Sequence, residues 1–248
     1  MTRLVRAELA KLRTVRLFYS VAAAMAAFGA LTVVANVTSA GQQGNPPLSA
    51  DDLPAVVGSP ATMLAGAALL LGILGMAGEF RHHTITQTFL TTPDRGRVVA
   101  AKLAAYLLAG IAVAVLTLAV TMAVALPWLS AKGLAVSALD GDLGRVLAGT
   151  LLAAGLCGLL GVGVGALVRN QVAALVGVLV WVVVVEGLLL NLLNAPSLGK
   201  WLPSAVAAAL TNPGGDHLSR WAAALLFAAY GLAFALTGTR FVVRRDIT

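Results

Sequence analysis

Six apolar runs recur along nearly the whole chain, each close to the roughly 20 residues that carry an α-helix across a bilayer. They lie at about Leu17–Val37, Ala61–Ala77, Val98–Leu126, Val146–Val168, Val172–Asn194 and Trp221–Thr239. In hydrocarbon every backbone N–H and C=O must find its partner inside the chain, and a helix does this within one segment. With 59% hydrophobic and 11% charged residues and a mean hydropathy of +0.92, the composition lies outside the range of soluble globular domains. The reading is an all-α polytopic membrane protein with six transmembrane helices in one domain, 1–248. The third run is longer than a bilayer requires, so it tilts or extends beyond the membrane.

The basic residues orient the spans. With the N-terminus in the cytoplasm, thirteen of the 17 Lys and Arg residues fall inside: Arg3, Arg6, Lys11, Arg13, Arg16, Arg81, Arg95, Arg97, Lys102, Arg169, Arg240, Arg244 and Arg245. Lys132, Arg145, Lys200 and Arg220 fall outside, in company with Asp51, Asp52, Asp140, Asp142 and Asp216. Both termini are therefore expected in the cytoplasm and the chain in the cell membrane. The net charge of +7 is a topology signal rather than a nucleic-acid footprint. Reading the first run as a cleaved signal peptide leaves five spans and breaks this bias, and its basic region is too long for one. Cys157 is the single cysteine, so no internal disulfide forms. Arg outnumbers Lys thirteen to four, a bias of GC-rich bacterial genomes.

Residues 1–16 form an amphipathic helix, with Leu4, Val5, Leu9, Leu12 and Val15 on one face and Arg3, Arg6 and Arg13 away from it. Such a helix lies along the inner leaflet. Glu8 falls inside the apolar stripe, three residues before Lys11, where a local ion pair can form. The stretch from Gly41 to Pro60 reads as an irregular outer loop, Pro127 to Gly144 as an outer segment, and Asp140-Gly141-Asp142 as a turn. Gly161 and Gly165 in the fourth run have the four-residue spacing that lets two helix backbones touch; the partner is another span of the same chain or a second subunit. Arg169-Asn170-Gln171 is a tight cytoplasmic turn. Glu186 is the one acid well inside an apolar run, which marks it for function unless water or Asn191 satisfies it. Pro196, Pro203 and Pro213 break the segment before the sixth run, and Leu202 to Leu210 is too short to cross. Re-entrant or surface-lying helices are expected there.

The most polar segment, 79–97, joins the second and third spans and is closed by Lys102. Fixed at both ends to spans, it is placed to meet a soluble partner. Catalytic patterns are missing from the sequence. No phosphate-binding Gly-x-x-x-x-Gly-Lys-Ser/Thr loop, His-Glu-x-x-His or Gly-x-Ser-x-Gly occurs, and His82 and His83 lack the spacing of a helical zinc pair. The chain is not expected to be an enzyme or to hold a metal or cofactor of its own. Energy for transport must then come from an ion gradient or from another protein.

Taken together, six spans, the basic N-terminal helix and the polar segment resemble the type-2 permeases of ABC exporters. Locally, Arg6-Ala7-Glu8-Leu9-Ala10-Lys11-Leu12-Arg13 is similar to the family's N-terminal helix. Glu79-Phe80-Arg81, Thr84, Leu90, Pro93, Arg95 and Lys102 follow a Glu-x-Arg…Thr…Leu…Pro…Arg…Lys pattern, and Gly165 to Gln171 after span four also looks familial. The resemblance spans the whole chain through order and topology rather than through one specific motif. It implies a cytoplasmic coupling helix at about Arg81–Thr92 that docks on a separate ABC ATPase subunit through Phe89 and Leu90. It implies Thr92-Pro93 at the cap of the next helix, and ATP-Mg on the partner alone. It further implies a second permease copy, identical or a sibling, and Glu79 and Lys102 as elements that transmit the ATPase's motion. Two alternatives stay open: a proton-coupled secondary transporter using Glu186, and a membrane scaffold that only recruits a partner. The few charges in the spans suit a lipophilic or amphipathic cargo.

Overall fold

The computed structural model describes residues 1–42, 46–82, 84, 94–132, 141–193, 199–211 and 218–244; the side chains of 50, 95, 141, 190–193 and 239–244 fall outside that description. Helices account for the regular structure of the described residues. In chain order they are α1 Thr2–Thr14, α2 Arg16–Ser39, α3 Leu53–Gly58, α4 Ala61–Arg81, α5 Arg95–Ala131, α6 Gly141–Val168, α7 Gln171–Val180, α8 Glu186–Leu193, α9 Pro203–Thr211 and α10 Arg220–Arg244. A π-helical turn, Trp181–Val185, joins α7 to α8. Six helical stretches are long and apolar enough to cross a membrane, in α2, α3–α4, α5, α6, α7–α8 and α10. The chain is therefore a multi-pass membrane protein.

Helix α6 is the hub. In its span 67% of residues are buried, against 11% in the α7–α8 span, so the first sits among the other helices and the second at the periphery. Small residues allow this. A Cβ on Gly161 would stand 2.9 Å from the Ile73 nitrogen and 3.0 Å from the Gly72 Cα, and still closer to the Leu69 oxygen. A Cβ on Gly165 would stand 3.0 Å from the Met76 Cβ and 3.1 Å from the Ile73 oxygen. Both glycines thus let α6 touch the backbone of α4 in the same chain, as GxxxG-type surfaces do. Gly163 faces the other way, against Gly231 and Phe234 of α10, and Gly110 of α5 rests on the Ala154 carbonyl.

Several sequence readings need correction. The stretch read as irregular between Gly41 and Pro60 includes a 3-10 turn, Ala50–Asp52, and helix α3. Leu53, Val56 and Val57 are buried at 3, 3 and 0% exposure and pack with Val33, Val37, Leu118 and Leu143. Apolar residues three and four apart were enough to fold a short helix onto the span ends despite the flanking Pro and Gly. Asp52 braces this turn by accepting from the Ser49 nitrogen at 2.8 Å and its hydroxyl at 2.9 Å. Those bonds hold its carboxyl below the usual aspartate range.

The third span does not end at Pro127, because the helix continues through it to Ala131. A proline this near a helix end costs one hydrogen bond, and burial of Leu129 (2% exposed) and a bond from Lys132 Nζ to the Val37 carbonyl (3.1 Å) hold the last turn. Gly141 and Asp142 open α6 instead of forming a turn, while Asp140 lies outside the described residues. Before α10, the expected short helix is present as α9, nine residues long and unable to span.

Candidate functional site

At one end of the bundle three helix termini converge on four charged side chains. Lys102, seven residues into α5, is 1% exposed. Its Nζ donates to Glu8 Oε2 of α1 at 2.6 Å and to Glu79 Oε1 of α4 at 2.8 Å. Lys11 Nζ closes the group, donating to Glu8 Oε1 at 2.8 Å and to Glu79 Oε1 at 3.1 Å. Two ammoniums thus face two carboxylates, and the Tyr106 ring lies 5.9 Å from Lys102 Nζ.

The sequence explains why the group forms. Leu9 and Leu12 press α1 onto α4 and α5 through Met76, Val98 and Val99. An acid in the middle of that stripe is therefore driven inward with them. A carboxylate buried this way is costly unless charge and hydrogen bonds compensate it. Burial pushes the Glu8 carboxyl up, but the charge and hydrogen bond of Lys102, with those of Lys11, outweigh it, and its pKa lies below the usual 4.5. Lys11 shows the converse: burial lowers it, the bonds and charges of Glu8 and Glu79 raise it more, and it ends above 10.5. Both groups stay charged across the physiological range.

The neighbouring termini are tied into the same end. Arg81 Nη1 donates to Gln171 Oε1 at 3.3 Å, and the Arg169 guanidinium lies 5.8 Å from the Phe80 ring. Arg169 takes φ +58°, the left-handed conformation that ends a helix, which glycine more commonly fills. Asn170 then caps α7 by accepting from the Ala173 nitrogen at 3.1 Å. A cavity of about 880 Å³ opens beside the ion cluster, between α1, the start of α2, α4 and α5.

Of the residues singled out from sequence, Glu8, Lys11, Glu79 and Lys102 meet in the cluster, and Arg81 lies next to it. Thr84 reaches the Glu79 carbonyl at 3.5 Å. Arg13 is exposed on the outer side of α1. Phe89, Leu90, Pro93 and the rest of 85–93, together with the Arg95 side chain, lie outside the described residues. The cap of α5 is Asp94, whose Oδ1 accepts from the Arg97 nitrogen at 3.1 Å; the Thr92-Pro93 cap is overturned, because an Asp directly before the first helical residue is the stronger acceptor for the free N–H groups. Local spacing revealed the Glu8–Lys11 pair but missed Lys102, 94 positions away. The available signal was complementary: an acid in the apolar stripe of one helix and a lysine inside the apolar run of another.

Glu186 occupies a second, separate site and is 2% exposed. Trp181 Nε1 donates to its Oε1 at 2.9 Å, and the Ser204 hydroxyl of α9 donates to its Oε2. These are not the partners expected from sequence; the Asn191 side chain lies outside the described residues. Glu186 follows Trp181 by five positions, and the π turn that joins them brings the two side chains onto one face, where 3.6-residue periodicity would set them apart. Among the described residues no group of three or more His, Cys, Asp or Glu side chains is placed to hold a metal ion. No protein-family model matches the sequence, and neither does any curated protein.

Proposed function

We propose that this chain is the membrane subunit of an ATP-driven exporter of the ABC type, worked by a separate ATPase that docks on the 79–97 segment. The observation that carries the reading is the buried charge cluster. It joins both flanks of that segment, Glu79 and Lys102, to α1 through Glu8. A soluble partner that displaces the segment would move α1, α4 and α5 together, because each is bonded to the same lysine or to its partners. The backbone contacts of α4 with α6 then extend that displacement into the hub. In this reading the clustered end faces the cytoplasm, both termini lie there, and the pathway forms with a second permease copy in the cell membrane. ATP and Mg²⁺ stay on the partner.

The proton-coupled alternative rests on Glu186. Both of its oxygens accept hydrogen bonds, from Trp181 and from Ser204, an arrangement that suits a structural anchor between α8 and α9. The scaffold alternative differs from the exporter in lacking ATP-coupled movement.

The decisive experiment is affinity purification of the tagged chain from native membranes in mild detergent, with stoichiometric partners identified by mass spectrometry. An ABC ATPase in equal amount, lost on changing Phe89 and Leu90 to Asp, is the expected result. Recovery of the chain with no ATPase after cross-linking would sink the reading. ATPase capture without nucleotide-dependent cargo movement would favour the scaffold.

A further inference from the structure

The cavity beside the ion cluster points to a lipid, and we infer that it binds a phospholipid whose headgroup pairs a phosphate with a primary ammonium, the ethanolamine type. This inference stands on the cavity itself and requires no ATPase.

The cavity has two unlike ends. One is walled by Leu71 and Leu74 of α4 and Phe18 of α2; the other by Lys11, Glu79 and His82. From Leu71 to Arg81 the helix rises about 15 Å, so the wall runs from the end of a span well into its apolar part. That gradient matches an amphiphile lying along a span, and in a multi-pass membrane protein the ambient amphiphile is phospholipid. A volume of about 880 Å³ accommodates a headgroup and the upper part of one acyl chain rather than a whole diacyl molecule.

Charge selects the headgroup. Glu8 and Glu79 balance Lys11 and Lys102, so a net anion or a net cation finds no unmatched countercharge in this wall. A zwitterion finds both signs. The Lys11 side chain is 48% exposed and is available to a phosphate, in keeping with the role of lysine as a point-charge phosphate binder. Of the four carboxylate oxygens in the cluster, three accept from an ammonium and Glu79 Oε2 accepts from nothing among the described residues. A buried acceptor without a donor is costly. Oε2 is therefore the carboxylate oxygen of the cluster whose acceptor capacity an arriving N–H can fill. A primary ammonium supplies such a donor; a quaternary choline has none, and glycerol carries no positive charge.

Gly78 provides the test, because it lines the cavity and a Cβ there meets nothing within 4 Å. Gly78→Leu starts its side chain in open space and directs it into the cavity. Gly66 on the same helix is equally open but does not line the cavity, so Gly66→Leu is the matched control. Delipidated protein is incubated separately with phosphatidylethanolamine, phosphatidylcholine and phosphatidylglycerol, and retained lipid is counted by native mass spectrometry. The expected result is one ethanolamine lipid per chain, retained at least about tenfold better than the other two, the factor for one charge-assisted hydrogen bond. Gly78→Leu should abolish that retention and Gly66→Leu should keep it; Gly78→Ala, a smaller change, should retain an intermediate amount if Gly78→Leu fails to fold. Equal retention of all three lipids overturns the headgroup assignment. Undiminished retention in Gly78→Leu, or equal loss in both leucine variants, overturns the site.

Discussion

Replacing Lys102 by Met keeps all but the last atom of the side chain's length and removes its charge, leaving Glu8 and Glu79 facing each other. Because Lys102 is 1% exposed, and Glu8 and Glu79 only 8 and 13%, water cannot screen the pair, and the relevant scale is that of a broken buried ion pair, about 3–5 kcal/mol. Lys11 is 48% exposed and bonds the same carboxylates, but a half-exposed pair contributes no more than about 1 kcal/mol and cannot substitute. The helix with the least other anchorage should give way, and that is α1. Leu12 of α1 is 8% exposed and the native Cys157 is buried, so Leu12→Cys is a reporter against a quiet background. Maleimide labelling of Leu12→Cys should accelerate by about two to four decades in the Lys102→Met background, whereas Lys11→Gln should change it less than about tenfold. Equal effects of the two substitutions, or no acceleration by Lys102→Met, would refute the view that the buried lysine holds α1 in place.

The same reporter gives a pH prediction. Glu8 has a folded pKa below 4.5, so its contribution is fully present above 4.5 and is lost only as pH falls through that lowered value; labelling, divided at each pH by that of the unfolded chain to remove the thiolate dependence, should stay flat from about pH 7 to pH 5 and rise well below 4.5. For Lys11, raised above 10.5, the contribution is present below 10.5 and is lost as pH climbs past its folded value. At the other site, Glu186→Gln keeps an acceptor for Trp181 and should cost less than about 1 kcal/mol in thermal unfolding, while Glu186→Leu strands two donors and should cost about 1–3 kcal/mol; equal costs would refute the anchoring role. Gly161→Leu should prevent α4 from reaching α6 and abolish a monodisperse detergent-extracted species in size-exclusion chromatography, whereas Gly66→Leu should not.

The spans were legible because hydrocarbon imposes one length and one hydrogen-bonding solution, and six runs met both. Legible too was the Glu8–Lys11 pair, fixed by helical spacing alone. The Lys102 bonds were not, since they depend on how α1 lands on α4 and α5, which no local pattern encodes. Helix α3 was hidden by its flanking Pro and Gly, and only contact with Val33, Val37 and Leu143 shows why Leu53, Val56 and Val57 pay back the ordering of a loop. For Glu186, position in the run marked the residue, but its partners follow from a π turn and from a helix that docks from beyond a proline.

The contact between α4 and α6 has a mechanical consequence. Where two helices meet through glycine, with backbone against backbone as at Gly72 and Gly161, no side chain at the crossing can change rotamer and let the pair slide. These two helices therefore behave as a single beam. Relative motion within the chain is expected at the joints padded by longer side chains, where α1, α2 and the α7–α8 arm lie against that beam. The lysine at the foot of α5 is the bolt that decides whether α1 moves with it.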